Sequence, residues 1–212
     1  MLSLSIYKQS WRCQYRIMNQ DKKSGYHHGS LKESLILHAF NLLDEAGPDA
    51  VTIRAVARRA QVSHAAPANH FHDRTALLTE QATRLFQMLD DDVRRKLSEA
   101  ESADRARAYM EALLEFGLRH PNRYLLMWRQ DLVDWDDDAL SACMDALYDS
   151  FVNELANLPR QSGRDPHTLA ISLWSMIHGY VTLRLNGVFK DRSDEVSGAN
   201  RAAAMLDLML AQ

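Results

Sequence analysis

Cysteine is scarce, with only Cys13 and Cys143 in 212 residues. Neither has a second Cys or a His at ligand spacing beside it, so no disulfide framework or zinc site is expected and a reducing compartment fits. Eight glycines and five prolines are too few for a collagen-like, low-complexity or linker-dominated chain. No apolar run approaches the roughly 20 residues that cross a bilayer, and residues 1–20 lack the sustained apolar core of a signal peptide. A cytoplasmic protein with no membrane partner is therefore expected. A glycine-rich phosphate loop, a nucleophile elbow and a Ser/His/Asp order are all missing, which leaves catalysis without a visible seat; neither enzyme activity nor a cofactor is expected.

What the chain does have is the balance of a folded globular protein, 46% hydrophobic and 25% charged, at a length that can bury a real core. Its net charge of −3 is unevenly spread. Residues 1–79 carry +4 and residues 80–212 carry −7, a front suited to a polyanion on an acidic body.

The apolar period is helical throughout. Leu31, Leu35, Ala39, Leu42, Leu43 and Ala46 recur at three and four residues, with Ser30 and Glu33 spaced as a capping box and Gly47-Pro48 as the stop. Thr52 is expected to cap a short second helix, and Ser63 a third running to about Phe71. Asp73 opens a long fourth with Leu78, Ala82, Leu85, Leu89, Val93 and Leu97 on one face, and Ser102 starts a fifth that stops at His120-Pro121. A sixth covers 122–130, and a seventh follows the acidic loop 131–138. Asp165-Pro166, an N-cap followed by proline, starts an eighth, and a ninth runs from about Ser197. No stretch alternates with period two. The fold class is all-α, a three-helix head with helix-turn-helix spacing on a six-helix bundle.

The segment Thr52–Phe71 carries the most specific signal. Two short helices lie around a tight turn, with Ala57 and Ala60 small enough for the crossing, Val62 apolar in the turn and Ser63 placed to hold the free N–H groups of the next helix. Such a unit presents the start of its second helix to a major groove. At these residues the chain resembles the TetR (tetracycline-repressor) family of transcriptional regulators. The likeness runs from Tyr26-His-His-Gly-Ser-Leu-Lys32, through Val62-Ser-His-Ala-Ala-Pro67 and Asn69-His-Phe71, to Arg74, Leu77 and Leu78. Further on, Trp174, His178 and Gly179, with Gly187, resemble the C-terminal regulatory domain of one subgroup. Two positions depart from the family pattern. Gln61 stands where glycine is usual in the turn, and a left-handed backbone there would cost about 1 kcal/mol. Ala68 stands where a tyrosine usually grips a phosphate, so one positioning contact to DNA is missing.

The resemblance implies a ligand-responsive repressor that binds a pseudo-palindromic double-stranded DNA operator as a homodimer. The division expected is a disordered tail over 1–24, a DNA-binding domain over 25–73 and a ligand-binding and dimerisation domain over 74–212. The first 17 residues, ahead of Met18 and outside the resemblance, read as tail or as an over-long start. For DNA, Ser63 and Arg74 are assigned to phosphate and His64 and Asn69 to bases; Arg54, Ala65, Ala66 and His70 complete the face, His70 also helping to seat it, and Lys22 and Lys23 form a basic arm. Tyr109, Phe116, Met144, Trp174 and His178 are the candidate lining for a small-molecule effector, His178 being read first as a buried structural hydrogen-bonding residue and second as a ligand contact. Helix 4, beginning at the recognition unit, is the expected link from that site to the head. The dimer seam is placed on Leu169, Leu173, Ile177, Val181, Ala199, Ala202, Ala203 and Leu206, apolar or small residues that a lone chain would leave partly exposed. His27, His28, His64, His70 and His72 do not reach one helical face at metal-ligand spacing, and no metal is assigned. Asp90–Asp92 and the acidic loop read as solvated faces. The alternative function is a helical small-molecule binding protein, or an enzyme, that has lost DNA binding, supported by Gln61 and Ala68.

Overall fold

The computed structural model describes residues 28–158 and 165–210, and from Ser34 onward they form one compact unit; His28–Glu33 fall in a separate one. Eight α-helices follow one another: α1 His28–Ala46, α2 Ile53–Arg59, α3 Arg74–Glu99, α4 Arg105–Arg119, α5 Pro121–Met127, α6 Asp138–Ala156, α7 Pro166–Leu185 and α8 Arg201–Leu210. Three short 3-10 turns, Pro48–Ala50, Ala66–Asn69 and Ser102–Asp104, join them. Among the described residues there is no strand, only an isolated bridge between Ser193 and Asn200. The tail and the Lys22–Lys23 arm lie outside the described residues.

Local chemistry sets most boundaries where the sequence puts them. Thr52 Oγ1 accepts from Ala55 N–H at 3.1 Å, Asp73 Oδ1 from Ala76 at 2.8 Å, and Asp165 from His167 and Thr168 at 3.3 and 2.9 Å. Gly47, at φ 80°, ends α1 in the left-handed region, its N–H donating to the Leu43 carbonyl. Three expectations need correction. The first helix begins two residues before Ser30, which therefore lies inside it. The last begins at Arg201; Ser197 instead closes a loop on Asp194, and Ala199 precedes the helix.

The third correction concerns the recognition segment, which is a 3-10 turn over Ala66–Asn69 with no side-chain cap at its start. In an α-helix capped by Ser63, the N–H of residue 67 would donate to the Ser63 carbonyl. Pro67 has no N–H, so that carbonyl takes the Ala66 N–H instead, at 3.1 Å, and the turn tightens. The proline ring is buried, as is Phe71 just beyond, and together they pin the segment to the head. Gln61 takes φ 57°, the left-handed conformation foreseen for the turn.

The bundle is built around α3 and α4. Leu78, Ala82, Leu85, Leu89 and Val93 of α3 are buried at helical spacing, and α3 packs on α4 and α6 while α4 packs on α7. Gly117 makes the α4–α7 approach possible, since a Cβ there would lie 2.6 Å from Val181 Cγ1. The short α5 packs against the 3-10 turn Pro48–Ala50 of the head.

Candidate nucleic-acid interface and effector cavity

The head offers a small exposed face. Arg54 and Arg58 of α2 and Ser63, His64, Ala65, Ala68 and Asn69 of the recognition segment are exposed, Ala66 and His70 are half-buried, and Pro67 is buried beneath them. Arg59 is tied back to α1 by a bidentate pair with Glu45, Nη1 donating to Oε2 at 2.6 Å. That pair holds the Glu45 carboxyl below its ordinary range. Arg74, expected on phosphate, is engaged within the head. Its Nε donates to the Val51 carbonyl at 2.7 Å and its Nη2 to the Pro48 carbonyl at 2.9 Å, so the guanidinium closes the α1–α2 connection onto the start of α3.

In the bundle, Leu89, Leu113, Tyr124, Trp128, Trp174, Ile177 and His178 surround a cavity of about 10 Å³ contributed by α3, α4, α5 and α7. That is about the space of one water molecule, so the cavity is closed to anything larger in this conformation. Trp128 is its hub, with its ring centroid 5.0 Å from His178, 5.9 Å from Tyr124 and 6.2 Å from Trp174. The Tyr124 hydroxyl lies 2.8 Å from His178 Nδ1. Burial lowers the His178 pKa, which keeps the imidazole neutral near pH 7, and burial raises that of Tyr124.

Of the five residues expected to line an effector site, Trp174 and His178 border this cavity. Tyr109 and Phe116 are core: Tyr109 is fully buried, stacked on Phe151, its hydroxyl donating to the Leu147 carbonyl at 2.5 Å with Ser150 Oγ at 2.7 Å. Met144 is half-buried on α6, away from the cavity lining. Tyr124 and Trp128 are not among the five residues expected. Their spacing of four residues marks a shared helical face, the one signal that could have pointed to them.

A polar link joins this cavity to the head. Arg123, beside Tyr124 on α5, donates from Nε and Nη2 to both carboxylate oxygens of Asp44 on α1, at 2.7 and 2.6 Å. Asn122 Nδ2 donates to the Asp44 carbonyl at 3.1 Å, and Arg129 reaches Asp49 at 3.4 Å. The long α3 is thus joined by α5 as a second connection.

The seam residues are also placed differently from expectation. Leu173, Ile177, Val181, Ala202 and Leu206 are covered within the single chain, so the exposure that motivated their choice is absent; Leu169 and Ala203 are half-buried and Ala199 lies in the loop. The exposed apolar side chains of α7 and α8 are Ile171, 57% exposed, and Leu208, 67%. Among the described residues, no group of three or more His, Cys, Asp or Glu could hold a metal, and no helix is long and apolar enough to cross a membrane.

A short helix and turn presenting an exposed recognition segment, set on a helical bundle, is the architecture of helix-turn-helix transcriptional regulators. Residues 35–81 match the family of bacterial regulatory proteins of the tetR type, and residues 106–209 match the tetracyclin repressor-like C-terminal domain. The chain belongs to the TetR family of DNA-binding transcriptional regulators. It is 26% identical over 163 residues to an uncharacterised HTH-type transcriptional regulator of Mycobacterium tuberculosis, covering 76% of this chain and 72% of the relative. A solved structure of a protein of unknown function from Rhodococcus sp. RHA1 is 29% identical, with a TM-score of 0.72 over 89% of this chain and 98% of that one. The fold also matches AibR, solved in complex with isovaleryl coenzyme A and operator DNA, at 15% identity and a TM-score of 0.57 over 85% of this chain and 96% of AibR.

Proposed function

We propose that the chain is an effector-responsive repressor that binds a pseudo-palindromic operator as a homodimer, with residues 25–73 meeting DNA and 74–212 taking the effector and forming the dimer. The observation that carries this reading is the exposed polar and methyl face of 63–69, held outward by buried Pro67 and Phe71. His64 and Asn69 are the base readers, and Arg54 and Ser63 hold phosphate. Arg74 is left to brace the head. Sequencing the fragments that full-length protein retains from sheared genomic DNA tests this: enrichment of discrete intergenic fragments supports it, and recovery matching bulk DNA favours the alternative, a small-molecule binder without DNA binding.

The effector site is the Trp128 cavity, opened by separation of its aromatic walls. Its lining has no carboxylate, lysine or arginine, and its polar groups are the Tyr124 hydroxyl, the neutral His178 and the Trp128 indole. A neutral, mostly apolar effector suits it. AibR's complex with both an acyl coenzyme A and DNA supports one chain of this fold serving two ligands. Opening the cavity moves Tyr124 and with it Arg123, so the grip on Asp44 changes along with the tilt of α3, and the spacing of two heads in a dimer follows. Trp174, His178 and Gly179 also support the finer assignment to the subgroup bearing that pattern. Ile171 and Leu208 are the apolar surfaces offered to a second copy.

A further inference from the structure

We infer that the recognition segment reads an A·T core, packing the methyl groups of Ala65 and Ala68 against the C5 methyls of thymines in the major groove, with the Asn69 amide on an adjacent adenine. This deepens the reading of the head as a DNA-binding unit and rests on it.

Between Val62 and Phe71 there is no Arg, Lys, Asp, Glu or Gln. The bidentate fork that recognises guanine and the carboxylate that accepts from cytosine are therefore both missing from the segment, whereas Asn is the side chain that matches adenine N6 and N7 and an alanine methyl is a partner for thymine's own methyl. His64 brings one ring nitrogen at a time and cannot replace a fork.

Geometry then selects which alanines. In a 3-10 turn, side chains three residues apart eclipse one another. Ala65 and Ala68 stand in that relation, bonded across the turn by the Ala68 N–H on the Ala65 carbonyl at 3.2 Å. Both are exposed, while Pro67 between them is buried and fixes the segment from behind. Three residues at about 2 Å of rise set the two methyls about 6 Å apart along the turn. Base steps of about 3.4 Å put thymine methyls one or two steps apart within reach of such a pair. The same tightening by Pro67 that breaks the expected α-helix thus creates a two-methyl ridge that an α-helix, with its neighbours 100° apart, would have turned away from a single line.

The test uses full-length protein and a random-duplex library, followed by the enriched duplex remade with deoxyuridine at single thymines, which deletes one methyl and leaves pairing intact. The expected half-site core is A·T, and deoxyuridine at the contacted positions weakens binding about fourfold each, the effect of leaving one methyl unburied. Ala68→Gly should bind the thymine duplex about fourfold more weakly and lose its sensitivity to deoxyuridine at the matched position. Equal binding of thymine and deoxyuridine duplexes by the unaltered protein overturns the inference, and that arm does not depend on any variant folding. Enrichment of a G·C core overturns it while leaving DNA recognition standing; enrichment of no sequence overturns both.

Discussion

Replacing Gln61 with glycine should stabilise the chain. Gln61 is the only non-glycine residue with positive φ among the described residues, at φ 57° in the turn between α2 and the recognition segment. For an L-residue that conformation costs about 1–2 kcal/mol, because Cβ crowds the following carbonyl. Glycine removes the clash but carries more freedom in the unfolded chain, which takes back about 0.4–1 kcal/mol. The side chain is exposed, and the hydrogen bonds of the turn, Gln61 N–H to Arg58 and Val62 N–H to Ala57, are backbone bonds that survive the change. The net gain is about 0.5–1 kcal/mol, which for a chain of this size raises the melting temperature by about 1–4 °C. Differential scanning calorimetry reads it directly. Ala60→Gly supplies the contrast, since Ala60 sits one residue earlier at φ −76°, where glycine brings only entropic loss and should lower the melting temperature. A Gln61→Gly variant that melts at or below the parent temperature would refute the reasoning.

Gly117→Ala should have the opposite effect, because the new methyl meets Val181 Cγ1 at 2.6 Å and the Tyr124 ring at 3.1 Å; β-branched Val181 is fully buried and has little room to yield. Net of the helix propensity gained, a loss of about 1–2 kcal/mol is expected by chemical denaturation, and an unchanged midpoint would show that α4 and α7 can separate freely. Arg123→Ala removes both bonds to Asp44 and should cost about 1–3 kcal/mol, with faster hydrogen exchange at the last turn of α1; unchanged exchange there would break the proposed link between cavity and head. His120, at the α4–α5 junction, has its pKa pushed down to about 4, chiefly by burial and then by Arg123 and Arg119. The unfolded chain protonates this imidazole near 6.5 and the folded chain only near 4, so the unfolded state takes up the extra proton in between and stability falls as the pH drops through that window. Melting of His120→Gln should show a shallower pH slope between 6.5 and 4, and a slope equal to the parent's would remove His120 from the account.

The sequence was most legible where structure is decided locally. Asp73 and Asp165-Pro166 start helices because their carboxylates reach N–H groups two or three residues away, and no distant partner is needed. Pro67 is visible too, but local spacing does not show that the missing bond to the Ser63 carbonyl makes the recognition element a 3-10 turn. Long-range chemistry was hidden. Tyr124 and His178 meet across 54 positions, and Arg74 is engaged by carbonyls 23 and 26 residues upstream, neither of which leaves a trace in local spacing. Helical periodicity puts Leu173 and Val181 on one apolar stripe, and both are buried. It could not tell core from cavity, or a face covered by the chain's own helices from one left for a partner, since α7 is apolar on more than one side and its exposed Ile171 lies off the stripe.

The most direct test of the central claim is sedimentation of the full-length protein with its own enriched duplex and with a scrambled duplex of the same composition, at one fixed salt concentration. Two chains per enriched duplex are predicted, with an affinity at least about a thousandfold above that for the scrambled DNA. Equal affinity for the two duplexes, or a single chain bound per site, would contradict the account of this chain as a dimeric operator-binding regulator.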